Sequence, residues 1–220
     1  MDLMKYIDIH THSPDRENSI LNIFIQEFNF DEDLKNISSG IHPWHIKSVD
    51  VSNELKKLEF AAKNNLILSV GEIGLDKKIQ TDFNLQKEIF KKQLLIAEKY
   101  SLPVIIHCVK AFNELISVKK EIQPKTLWII HGFNNNLQVA KELIKHNCFL
   151  SFGEAILKEN SNAGKIIKEL PLENVFFETD ESDVEIEIIY KTASEILGVK
   201  TEELTDIVND NFLRCFRKEL

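Results

Sequence analysis

The sequence predicts an α/β protein of the (β/α)8 TIM-barrel class. Three observations predict it. Eight short apolar runs of strand length recur along the 220 residues. Most of them alternate with segments of helical periodicity, the pattern of a parallel sheet wound with helices. The runs are continuous rather than alternating, as expected for strands buried on both faces. The length suits a single domain, residues 1–220, near the short end of that fold's range.

The first strand is expected at 5–10 and ends in His10-Thr11-His12. The second is expected over the Ile- and Phe-rich run 20–28, and the third over 37–42, stopping at Pro43. The polar stretch 31–36 reads as a connection. Leu55, Leu58 and Ala62 give a helix over 51–64, followed by a strand at 66–71 and then Glu72-Ile73-Gly74-Leu75-Asp76. Phe83, Phe90, Leu94 and Ala97 form one stripe of a helix over 82–100. Strands at 104–107, 126–131, 148–152 and 174–178 follow. Helices lie near 110–121, around Leu137-Ala140-Ile144, over 163–170, and at 183–197 and 202–217, the last with Thr201 as its expected cap. One link breaks the pattern. Residues 13–19 are too few and too polar for a crossover helix, which usually takes a dozen residues or more. Either the first β-α crossover is shortened or the second strand is misplaced.

Composition narrows the function classes. A formal net charge of -8 argues against a broad basic footprint for nucleic acid, though not against a small phosphate-handling site charged by metal. The three cysteines, Cys108, Cys148 and Cys215, have no paired spacing and read as free thiols of a reducing compartment. No leader or membrane-length apolar run is present, so a cytoplasmic location and no membrane partner are expected, with a monomer or small homo-oligomer.

The chemistry gathers at strand ends, where barrels of this class keep their active sites. His10 and His12 share one face of the first strand's tip. Glu72 follows the fourth strand, His107 and His131 end the fifth and sixth, and Asp180 follows the eighth. Singly, each has an ordinary alternative: a satisfied core histidine, a helix cap, a salt-bridge partner. Jointly, imidazole nitrogens and carboxylates suit one or two divalent ions, with Mg, Mn and Zn as candidates. Glu72 would bridge two such ions, and Asp180 would also serve as general base. His42 is a candidate for substrate binding or support of a ligand, and His45 has no assigned role. Asp8 either orients an imidazole or is simply buried and paired. His146 reads as helix-end chemistry. Trp44 and Trp128 read as packing more readily than as stacking platforms.

These residues carry a resemblance. Asp8-Ile9-His10-Thr11-His12, Gly40-Ile41-His42-Pro43-Trp44, Gly71-Glu72-Ile73-Gly74-Leu75-Asp76, the run from Gln86, Phe90 and Gln93 into Leu102-Pro103-Val104-Ile105-Ile106-His107, His131 with Phe133, Glu178-Thr179-Asp180, and Asn211-Phe212 with Arg214 and Phe216 match in order. The chain resembles the TatD-type metal-dependent hydrolases of the amidohydrolase superfamily. The resemblance implies a TIM barrel, a mono- or dinuclear metal site and hydrolase activity, with deoxyribonuclease chemistry described for family members. It places His10, His12, Glu72, His107, His131 and Asp180 on the metal; the expected catalytic residues are Asp180 and Glu72. The rim departs from the family pattern at Cys108-Val109-Lys110, at Gly132-Phe133-Asn134-Asn135 and at Glu181-Ser182-Asp183. The expected activity is phosphodiester cleavage by metal-activated water, on nucleic acid. The alternatives are a small phosphoester, ester or amide as substrate, or a metal-binding protein without turnover. A PHP-type phosphoesterase would share the early HxH but not GEIGLD or the Glu178-Thr179-Asp180 run.

Overall fold

A computed structural model of the chain describes residues 6–30, 34–217 and 220. The expected start of the first strand at residue 5 and part of the 31–36 connection lie outside the described residues. Eight strands run in sequence order through one sheet: β1 (Asp8–Thr11), β2 (Ser19–Asn22), β3 (Ile37–Ser39), β4 (Ser69–Asp76), β5 (Val104–Val109), β6 (Trp128–Ile130), β7 (Cys148–Phe152) and β8 (Val175–Phe177). Helices follow from β3 onward: α1 (Val51–Lys63), α2 (Phe83–Tyr100), α3 (Phe112–Ile122), α4 (Leu137–Lys145), α5 (Asn162–Ile166), α6 (Ile186–Leu197) and α7 (Thr201–Phe216). The order and parallel direction of the strands are those of a (β/α)8 barrel.

The chain divides into two compact units, one of residues up to Leu21 with Ile130–Leu220, the other of Asn22–Ile129. In the first unit, β1 pairs with the start of β2 in parallel, Asp8 opposite Ser19 and Thr11 opposite Leu21. The crossover between them is only residues 12–18 and holds no helix, so the shortened link is real and the second strand does begin at Ser19. Asn18, in left-handed backbone, closes this link by accepting the Asp8 N–H at 3.1 Å. β1 also bridges to the end of β8 through Thr11 and Asp180. Asp8 latches that junction: Oδ1 accepts from the Thr179 and His10 N–H groups, and Oδ2 accepts from the Thr179 hydroxyl at 2.6 Å. Of the two readings of Asp8, the buried and paired one holds. Burial pushes its carboxyl up to about 6, and the Thr179 hydrogen bonds work against that rise.

In the second unit, β4 is the longest strand and is buried throughout. Gly74 lets β4 approach β5, since a Cβ there would sit 1.9 Å from the His107 carbonyl oxygen. α2 begins at Asp82, whose side chain accepts the Leu85 N–H, and buries Gln86, Ile89, Phe90, Gln93, Leu94 and Ala97 on one face.

Several elements differ from the sequence reading. β4 is shifted from the expected 66–71 to Ser69–Asp76, so Glu72 lies inside the strand rather than after it, and β5 runs on to Val109, so His107 lies within it. The second strand stops at Asn22 rather than 28, although Ile23 and Ile25 still donate to the Ser38 and Gly40 carbonyls beside β3. The expected helix over 163–170 is a single turn of α5 followed by a 3-10 turn, because Pro171 closes the segment soon after Gly164 loosens it. Thr201 does not cap α7. Lys200 stands at the cap position without a side-chain bond, while the Thr201 hydroxyl pairs with that of Ser194.

Candidate metal centre

The ligand candidates of the first unit sit on β1, β6 and β8. His10 is the third residue of β1 and is fully buried, and His12 follows the strand. Asp180 stands just past β8 in left-handed backbone (φ 54°), a conformation that Asp tolerates better than most residues. Its main chain is stitched to β1 on both sides: its N–H donates to the His10 carbonyl at 2.9 Å, and its carbonyl accepts from His12 N–H at 3.1 Å. The carboxylate Oδ1 then lies 3.5 Å from His10 Nε2 and 3.6 Å from His12 Nε2. His131 follows β6 and packs its ring 4.5 Å from that of His10. His10, His131 and Asp180 each offer a ligand atom within 4.8 Å of the others.

Two ligands about 2.1 Å from one tetrahedral ion stand about 3.4 Å apart. The 3.5 and 3.6 Å separations at Asp180 Oδ1 match that spacing. Nitrogen and anionic oxygen donors are also the set that a divalent transition metal takes. The residues present therefore fit a metal ion.

Behind His131 lies Glu178, a fully buried carboxylate with no assigned role in the sequence reading beyond its place in the Glu178-Thr179-Asp180 run. Its Oε1 accepts the Gly132 N–H and stands 3.5 Å from His131 Nδ1. A carboxylate beside the second ring nitrogen of a ligand histidine can orient the ring at a metal site. The signal for it was strand alternation: Glu178 and Asp180 fall on one face if the strand continues past Phe177.

The second unit brings His42, Glu72 and His107 together, again with ligand atoms within 4.8 Å of one another. Glu72 Oε1 lies 2.9 Å from His107 Nδ1 and 3.2 Å from His42 Nε2. The Glu72 main chain is anchored by Asn22, whose Oδ1 accepts its N–H at 2.6 Å. His42 Nδ1 accepts the Trp44 N–H at 3.2 Å. With Nδ1 accepting, the proton of a neutral His42 sits on Nε2 and faces Glu72. His42 is thereby arranged as a donor to that carboxylate.

Asp76 is a second carboxylate that sequence reasoning left without a role. Its Oδ2 stands 3.5 Å from His107 Nε2 and accepts the Trp44 indole N–H at 2.9 Å. Burial raises its pKa, but the hydrogen bonds from Trp44 and the Lys78 N–H outweigh burial and leave it below the ordinary carboxylate value. Two buried glutamines of α2 hold this region from below. Gln86 bonds the Asp76 N–H and carbonyl, and Gln93 bonds the Ile41 N–H and carbonyl next to His42.

His45 and His146 belong to none of these ligand sets, although the His45 ring stands 6.1 Å from that of His42. His45 packs its ring 4.6 Å from that of Phe24. His146 caps the end of α4 and pairs with Glu142 at 3.2 Å, as helix-end chemistry predicts. All three cysteines are free thiols. Among the described residues no helix is long and apolar enough to cross a membrane.

Comparison with known proteins gives the family and the fold. A Bacillus subtilis protein, the uncharacterized metal-dependent hydrolase YabD, is 27% identical over 192 residues, covering 79% of this chain and 75% of its own. The human 3'-5' RNA nuclease TATDN2 is 31% identical over 155 residues, covering 68% of this chain but 20% of its own length. The crystal structure of YjjV, a TatD homolog from Escherichia coli K12, superposes with a TM-score of 0.86 at 21% identity, covering 98% of this chain and 99% of that one. That match shows the barrel fold. The model of the TatD related DNase family matches residues 26–217. The chain belongs to the TatD family of metal-dependent hydrolases.

Proposed function

We propose that the protein cleaves phosphodiester bonds of nucleic acid with a divalent metal, Asp180 acting as general base. The observation that carries this is the Asp180 carboxylate, fixed by main-chain bonds to His10 and His12 with Oδ1 spaced from both imidazoles as two ligands of one ion are. His10, His12, His131 and Asp180 would hold one ion. Glu72 and His107 would hold another, with His42 steadying Glu72. When bound, such an ion supplies an acidified water, its pKa drawn from about 15.7 toward 7, and polarises the scissile oxygen. Asp180 would accept a proton from that water on its carboxylate. Glu178 keeps the His131 ring in register, and Asp76 does the same for His107. We further propose that residues 1–220 form one domain, since the family match runs unbroken from 26 to 217.

Nucleic acid as substrate is supported by the names of relatives. Besides the human RNA nuclease, the Danio rerio protein tatdn3, provisionally named a deoxyribonuclease, is 29% identical over 203 residues. The net charge of -8 favours a second reading, a small phosphoester, ester or amide. The deciding experiment strips the protein with a chelator and reloads it with Mg, Mn or Zn. Each form is then assayed on single-stranded DNA, RNA, a model phosphodiester, a lactone and an amide. Metal-dependent cleavage of the strands supports the nuclease reading. Turnover confined to the small substrates replaces it.

A further inference from the structure

We infer that Trp44 is a stacking platform for one unstacked nucleobase of a single strand held at the Glu72–His107 cluster; this rests on the nuclease reading above. The two tryptophans have opposite environments. Trp128 is fully buried, whereas Trp44 is 55% exposed. An indole exposed to that degree is usually mobile, but this one is held at several points. Its Nε1–H donates to Asp76 Oδ2 at 2.9 Å, and its main-chain N–H donates to His42 Nδ1 at 3.2 Å. Its ring stands edge-on to His42, centroids 4.7 Å apart, and to His107 at 5.9 Å. Polar contacts therefore fix the orientation of the ring while much of its surface stays in water.

A rigid aromatic plane with little conformational entropy left to lose is what base stacking requires. Its position matters as much as its exposure. Asp76 accepts from Trp44 and also contacts His107, so the platform and a candidate ligand share one carboxylate. A base seated on Trp44 would bring its own phosphodiester to Glu72 and His107. Net charge sharpens the need for such a contact. A chain of charge -8 repels a polyanion at range, so its grip on a strand must come from short-range terms. Stacking is one of these and is tolerant of sequence, because every base has a π-face.

The test exploits the buried Trp128, which gives a constant background, so a ligand-dependent change in tryptophan emission reports Trp44. The metal-loaded Asp180→Asn protein, used to prevent turnover, is titrated with an oligothymidylate and with an abasic strand of the same length. Saturable quenching by the first and none by the second is expected. Trp44→Ala should weaken oligothymidylate binding by between about fivefold and a hundredfold, the span observed for stacking one base on an aromatic ring. Trp44→Phe should recover most of it, and this variant with the quenching data suffices if the alanine protein does not fold. Equal binding of the two strands, or wild-type-like binding by Trp44→Ala, overturns the platform while cleavage of strands by the wild type leaves the nuclease reading standing. Failure of the wild type to cleave any strand overturns both.

Discussion

At the scale of single residues, Asp180 joins backbone conformation to chemistry. In left-handed backbone it sets a carboxylate beside two imidazoles, and Asn, like Gly, also accepts this conformation at low cost. Asp180→Asn should therefore keep its fold while losing turnover by about a hundredfold to ten-thousandfold, the contribution of a general base. Thermal melting beside metal-dependent hydrolysis checks both halves, and full activity with any metal would remove Asp180 from the role. Glu178→Gln keeps the shape of the side chain but weakens its hold on His131. Metal affinity should fall about tenfold to a hundredfold, read by competition with a chromogenic chelator. The candidate ligands were legible in the sequence because each polar residue interrupts or ends an apolar run. Glu178 and Asp76 were less legible. Which carboxylate supports which imidazole depends on how neighbouring strands approach, and strand spacing is not written in either residue's own segment.

At the scale of elements, α2 ties the site to the core. Gln86 and Gln93 lie seven residues apart on one face, each giving both amide groups to a main chain that carries site residues. Gln93→Leu would leave the Ile41 N–H and carbonyl buried without their partners. A loss of about 2–4 kcal/mol of stability is expected from two such groups, measurable by urea unfolding, with a weakened hold on the loop bearing His42. Replacing Gly74 by Ala should lower both stability and metal binding, read by urea unfolding and chelator competition, because the added Cβ meets the main chain of His107 in the β4–β5 ladder. Helices with strong apolar stripes were read to within a few residues. The second strand was overextended because Ile23 to Phe28 supplies core side chains without staying in the ladder. Apolar content reports burial, and only pairing makes a strand.

At the scale of the whole molecule, alkaline pH probes the core. Burial pushes the Cys215 thiol up to about 12, and burial followed by the nearby Asp8 charge raises the Tyr190 hydroxyl well above its ordinary value. Both groups hold their protons more tightly folded than unfolded. The stability this contributes is complete below the unfolded thiol value near 9 and is lost as pH rises toward 12. Unfolding free energy should thus fall steadily between pH 9 and 11, and Cys215 should resist alkylation at pH 8 until the protein is denatured. A flat profile over that range would contradict the buried assignment. The fold class was the most legible property of the sequence, because eight apolar runs in alternation leave few parallel arrangements. The shortened first link was visible as a conflict, and only the Asp8–Ser19 register resolved it.

The division of the chain has a consequence for the order in which the protein is made. His42, Glu72 and His107 belong to one uninterrupted stretch, Asn22–Ile129, whereas His10 must wait for His131 and Asp180. Once residue 107 has been added, every residue of the first cluster is already present. The other has its first member at residue 10 and its last at residue 180. For that interval the growing chain carries one complete cluster and one that is still unfinished.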